Sequence, residues 1–114
     1  MKVELGPVIV SRGYFNVGDP SRRTVVEIEI AAPVESAHAQ GEFQCSFRMK
    51  SPTTDEIETV YGTDTLQALQ LALGHLEAAL LRLSSSSGLS LRWAGGDPGD
   101  LGIRIPKFWA EEQA

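Results

Sequence analysis

One cysteine, two histidines, several acidic pairs and a cluster of arginines are the residues of this 114-residue chain with chemistry to offer. Cys45 could act as a nucleophile if a cation, a helix N-terminus or open solvent held its thiolate. It stands instead in Phe43-Gln44-Cys45-Ser46-Phe47, where strand alternation turns it inward with the two phenylalanines, and a core favours the neutral thiol. A zinc site needs ligands at close spacing on one element. Three and four residues after His75 come Ala78 and Ala79, and His38 has only Glu35 near it in a loop, so no metal is expected. Asp97 and Asp100 lie among glycines, but their loop lacks the alternating Asp/Asn ligands and bidentate Glu of a calcium loop. Gly95, Gly96, Gly99 and Gly102 are not followed by a helix, as a phosphate loop would require.

The acidic pairs are Glu27 with Glu29, and Asp55, Glu56 and Glu58. A general acid needs an apolar pocket that raises its pKa. Both groups alternate with apolar residues and are expected on a solvated face. Arg12, Arg22 and Arg23 flank residues 13–21, read as a loop, and around Tyr14, Phe15 and Asn16 they could receive an anionic group. A simply exposed loop is the plainer reading. No catalytic, cofactor-binding or metal-ligating residue is assigned, and no cofactor is expected.

The elements that must position these residues change period once. Over residues 24–30, Val26, Ile28 and Ile30 share one face. In the next run Phe43, Cys45, Phe47 and Met49 face one way, with Glu42, Gln44, Ser46, Arg48 and Lys50 the other. One wet and one dry face is the pattern of an antiparallel sheet. Ser51-Pro52-Thr53-Thr54 reads as a turn into a strand over 56–61. Residues 3–10 are β-branched, but Pro7 demotes them to an edge strand or bulge. From Thr63 onward Leu66, Leu69, Leu73, Leu76, Leu80 and Leu83 recur every three or four residues, one stripe of a helix. Asp64 with Gln67 fits a capping box, and Gly88 a left-handed stop. Leu89, Leu91 and Trp93 predict a last strand, residues 94–100 a loop, and residues 103–105 a short extended piece ended by Pro106. The expected fold is α+β: a single domain, residues 1–114, with an antiparallel sheet of about five strands and one long amphipathic helix across its apolar face.

The far side of that helix is less polar than a solvated face should be. Leu71, Gly74, His75, Ala78 and Leu81 lie off the stripe and mark a candidate interaction face. Alternatively the sheet or a terminal segment wraps that far, since the apolar run over residues 103–109 also needs a place to pack.

Composition bounds the partners. Hydrophobic residues make 42% and charged ones 22%, near globular averages, which excludes a disordered tail or a coiled rod. The net charge of −5 argues against a nucleic-acid partner. No stretch reads as a membrane span or a signal peptide, and one cysteine suits a reducing compartment, so a cytoplasmic location is expected.

Tyr61-Gly62-Thr63-Asp64 running into Leu66-Gln67-Ala68-Leu69-Gln70, the preceding Cys45-Ser46-Phe47, the later Leu91-Arg92-Trp93, and Asp100-Leu101-Gly102 before Pro106-Lys107-Phe108 together carry a resemblance. The chain resembles a family of small bacterial proteins classed as a domain of unknown function. The resemblance covers roughly the last two-thirds of the chain. It implies a bacterial, single-domain, cytosolic protein, with no assigned activity and no catalytic residues to carry over.

Two functions fit these readings. The first is a small acidic, non-enzymatic binding or protein-interaction module, self-associating as a homodimer or, in an immunity- or antitoxin-like form, neutralising a basic protein. The second is a small-molecule binder or enzyme with a pocket between the sheet end and the loops, built from Tyr61, Arg92, Trp93 and Asp100.

Overall fold

A computed structural model of the chain describes residues 5–103. They form β1 (Val8–Asn16), β2 (Thr24–Ala31), β3 (Val34–Glu35), β4 (Phe43–Lys50), β5 (Asp55–Gly62), α1 (Thr65–Ser87) and β6 (Leu91–Arg92). The fold is α+β, one antiparallel sheet with one helix laid on it. Across the sheet the order is β5, β4, β2, β1, β6, with the short β3 continuing the line of β2 along the same edge of β4. Three hairpin steps lead from β1 to β5. Helix α1 then crosses the sheet to return the chain beside β1.

The alternating strands fold as their pattern dictates. Ile28 pairs with Met49 and Ile30 with Phe47, so the apolar faces of β2 and β4 coincide. Cys45 and Val60 are partners on β4 and β5 on that same face. All six are buried, and burying a side chain of the size of Phe, Ile or Met contributes roughly 1.5–3 kcal/mol. Behind them the turn predicted at 51–54 is closed by the Ser51 hydroxyl, which accepts from the Thr53 and Thr54 amides.

Helix α1 starts and stops where the caps require. Asp64 accepts from the Gln67 amide at 2.7 Å, while Gln67 Oε1 accepts from Thr63, one residue before the partner a standard capping box uses. Gly88, left-handed at φ 71°, ends it. The face it buries differs from the leucine stripe. Ala68, Ala72, Leu76, Ala79, Leu80 and Leu83 are buried; Leu69 and Leu73 are half-buried and Leu66 is 62% exposed. Alanines on the central line let the helix settle close to β4 and β5, where Phe47 and Met49 supply the bulk. The leucines of the first two turns are therefore turned toward the helix flank.

Two further expectations are corrected. Residues 13–16 are not loop: they continue β1, and Tyr14 and Phe15 are buried. The strand read over 89–93 is limited to Leu91–Arg92, because only these residues meet Phe15 and Asn16 of β1. The final apolar run past Ile103, with Ile105, Pro106 and Phe108, lies outside the described residues, as do residues 1–4 of the first predicted strand. Among the described residues no helix is long and apolar enough to cross a membrane.

Candidate functional site

The outer face of α1 carries the surface picked out by its composition. Leu71 is 40% and Leu81 53% exposed, and Gly74 and His75 are exposed between them. Ala78 is half-buried. A Cβ added at Gly74 would meet nothing within 4 Å, so the surface there is open. His75 turns to the flank above β5, where its Nδ1 lies 2.9 Å from Glu58 Oε1. That contact corrects the reading of Glu58 as part of a wet outer face. Glu58 is the cross-strand partner of Phe47 and so stands on the helix side of the sheet, beyond the helix's edge. Asp55 is on the opposite face, where Arg48 donates two hydrogen bonds to it, at 2.7 and 2.6 Å.

The residues offered as a pocket do not converge. Arg92, Trp93 and Asp100 belong to β6 and the loop after it, at one edge of the sheet. Tyr61 is on β5, at the opposite edge, its ring edge-on to His38 with centroids 6.2 Å apart. The Arg92 and Asp100 side chains bond to the loop's own backbone. Arg92 Nε donates to the Gly96 carbonyl at 2.7 Å, and Asp100 Oδ1 accepts from the Gly102 amide at 2.8 Å.

What organises this edge is a pair of residues on β1, Arg12 and Tyr14. The Arg12 guanidinium stacks 3.9 Å from the centre of the Trp93 ring and donates to the carbonyls of Leu101 and Gly102. The Tyr14 hydroxyl donates to the same Leu101 carbonyl at 2.7 Å. Burial pushes the Tyr14 hydroxyl's pKa up, against the opposing effect of Arg12. A Cβ at Gly95 or Gly96 would overlap the indole, so these glycines serve the close approach of backbone to ring. Trp93 Nε1 is buried and has no hydrogen-bond partner among the described residues. The signal that could have found Arg12 and Tyr14 is the period of two through Arg12, Gly13, Tyr14 and Phe15, masked by the glycine and the arginines.

Cys45 is fully buried; its sulfur lies 3.5 Å from the Ala31 carbonyl, and burial raises its pKa away from the thiolate. Asp97 is exposed, and among the described residues no three His, Cys, Asp or Glu side chains gather as metal ligands would. The arginines read as a cluster separate: Arg12 stacks on Trp93, while Arg22 stands 5.4 Å from the ring centre of Phe15.

No curated protein and no solved structure matches the chain. A family model does, over residues 10–105, from the third residue of β1 to just past the Trp93 loop. The chain belongs to the family described as "Domain of unknown function (DUF6968)".

Proposed function

We propose that this protein is a non-enzymatic interaction module that pairs with a second copy of itself through the outer face of α1. The observation that carries the reading is the exposure of Leu71 and Leu81 on either side of the small residues Gly74 and Ala78. Gln67, Leu71, Gly74, Ala78, Leu81 and Ser85 recur at alternating steps of four and three, the spacing of a helix-pairing seam. The seam is also symmetric about Leu76. An antiparallel two-fold pairing sets Leu71 against Leu81 and Gly74 against Ala78 of the second copy. A self-complementary patch of this kind is what a closed dimer needs. The two small residues at the centre allow close helix approach, and the leucines at either end are the apolar anchors.

The buried free thiol of Cys45 suits a reducing compartment, and on that ground and the family resemblance we place the protein in the bacterial cytoplasm. The net charge of −5 leaves room for a basic heterologous partner in the manner of an immunity protein or antitoxin, at a surface other than the helix seam.

Light scattering on the intact chain tests the pairing, together with Leu71→Glu and Gly74→Met. The parent is expected at dimer mass and both variants at monomer mass, with unchanged circular dichroism. Gly74→Met is the cleaner variant, because open space lies around its position in the single chain and methionine is the better helix former. A monomeric parent, or variants that keep the dimer mass, would refute the reading.

A further inference from the structure

We infer that the open edge of β5 is a second self-pairing surface, which joins antiparallel to β5 of another copy with the two-fold centred on Thr59. Among the described residues β5 pairs with β4 alone, over all eight of its residues and with no bulge. An exposed edge is usually guarded by a proline, a bulge or a lysine, and β5 has none of these. The hairpin fixes which backbone groups point outward. The Ser51 amide donates to the Thr54 carbonyl at 2.8 Å, so these two residues face each other as a hydrogen-bonded pair. Bonded and non-bonded pairs then alternate along the antiparallel ladder. Glu56, Glu58 and Val60 therefore turn their N–H and C=O groups to β4, and Ile57, Thr59 and Tyr61 turn theirs to the open edge. The side chains of these three lie on the sheet face away from α1, where Tyr61 is 43% exposed.

Charge complementarity identifies the occupant as a second β5. The carboxylates Asp55, Glu56 and Glu58 fall in the first half of the strand, and the uncharged Thr59, Val60, Tyr61 and Gly62 in the second. Antiparallel pairing sets one half against the other. Directly opposed residues share a face of the sheet, so the two-fold passes through a residue rather than between two. Centring on Glu58 opposes two carboxylates, which is destabilising, and centring on Val60 sets Glu56 against Asp64. Centring on Thr59 avoids both. Glu58 then faces Val60, Glu56 faces Gly62, and Ile57 faces Tyr61 on each side of a Thr59–Thr59 pair. Each of the three outward-facing pairs exchanges two backbone hydrogen bonds. Thr–Thr and aromatic–β-branched neighbours are favourable cross-strand pairs. Two of the carboxylates are also engaged within the chain, Asp55 by Arg48 and Glu58 by His75, which lowers the repulsion between the two edges.

Disulfide trapping on the intact chain tests the register. In the Thr59-centred pairing the two Thr59 Cα atoms stand about 5.5 Å apart, within the span of a disulfide. The two Tyr61 positions are offset by four residues along the ladder, about 13 Å. Cys45 is buried and stays out of the reaction. Under oxidation Thr59→Cys is expected to form a covalent dimer and Tyr61→Cys to remain single. No trapping at Thr59→Cys, or equal trapping at both positions, overturns the inference. Light scattering gives a second check. A lone strand pair is weak, so the mass of the parent is expected to double only as the protein is concentrated. Ile57→Pro removes an N–H that serves no bond in the β4–β5 ladder, and it is expected to abolish the rise with unchanged circular dichroism. A rise that survives Ile57→Pro, or no rise in the parent, also overturns the inference. Leu71→Glu, placed on the outer face of α1, is expected to leave trapping at Thr59→Cys intact, so the two self-pairing surfaces succeed or fail separately.

Discussion

The guanidinium of Arg12 lies over Trp93, 3.9 Å from its ring centre, and ties β1 to a loop about ninety positions away by also donating to the Gly102 carbonyl at 2.9 Å. One side chain thereby supplies a cation–π contact and the hydrogen bonds that hold the loop's closing strand of backbone. Arg12→Ala is expected to cost about 2 kcal/mol, the sum of a partly desolvated cation–π contact and a hydrogen bond to a charged donor. Arg12→Lys should recover only part, because an ammonium cannot stack and fork at once. Urea unfolding at constant m-value measures both; an Arg12→Ala protein within about 0.5 kcal/mol of the parent would remove Arg12 from its organising role.

Alkaline pH should weaken the fold through two buried groups. Burial raises the pKa of the Cys45 thiol from its ordinary 9.0, and burial, outweighing Arg12, raises that of the Tyr14 hydroxyl from 10.0. In each case the unfolded chain releases its proton at lower pH than the folded one. The stability is therefore whole below those ordinary values and is lost as pH rises through the folded ones. The urea midpoint is expected to fall between about pH 8 and pH 10.5, and to fall less in a Cys45→Ala, Tyr14→Phe double variant. Equal slopes in parent and double variant would show that neither group titrates from a buried state.

The N-cap of α1 offers a more local test. Asp64 satisfies the Gln67 amide at 2.7 Å, so Asp64→Ala should destabilise by about 1 kcal/mol while Asp64→Asn or Asp64→Ser loses much less. Gln67→Ala should cost less than Asp64→Ala, since the Gln67 side chain reaches an exposed amide that water can serve. Chemical denaturation ranks the variants, and the reverse order would mean that Gln67 rather than Asp64 holds the helix start.

How far the fold could be read from the residues depended on how each element buries itself. β2 and β4 have one dry face and strict alternation, and they were legible almost to the residue. The ends of α1 were legible because Asp64 and Gly88 act locally. Its facing was not, since Ala68, Ala72 and Ala79 carry little hydrophobic signal yet set the line of closest approach. β1 was obscured by Gly13 and the arginines, although Arg12 and Tyr14 make its most specific contacts. The pocket built from Tyr61 and Trp93 failed for a different reason. Periodicity gives no strand order, and α1 carries the chain right across the sheet between the two residues. The outer leucines of α1 were legible as exposed, although Leu81 also lies beside loop residues 99–103, a neighbour that periodicity does not reveal.

The Tyr61-Gly62-Thr63-Asp64 motif leads to the sharpest stability prediction. Gly62 ends β5 against the first turn of α1, where a Cβ would sit 2.7 Å from the Ala68 amide nitrogen and 3.1 Å from the Gln67 carbonyl carbon. Those are backbone atoms of a turn pinned by the Asp64 cap, so they cannot swing aside as a side-chain tip would. Gly62→Ala should therefore destabilise by about 1–3 kcal/mol through overpacking. Gly74→Ala is the matched control: the same methyl enters open space in a helix interior and should stabilise by up to about 1 kcal/mol. Both are read from urea unfolding at low protein concentration, where self-association contributes least. Opposite signs would make Gly62 in this motif a packing requirement between strand and helix. A neutral Gly62→Ala would mean that the strand end and the helix start stand further apart, and the motif glycine would then need another explanation.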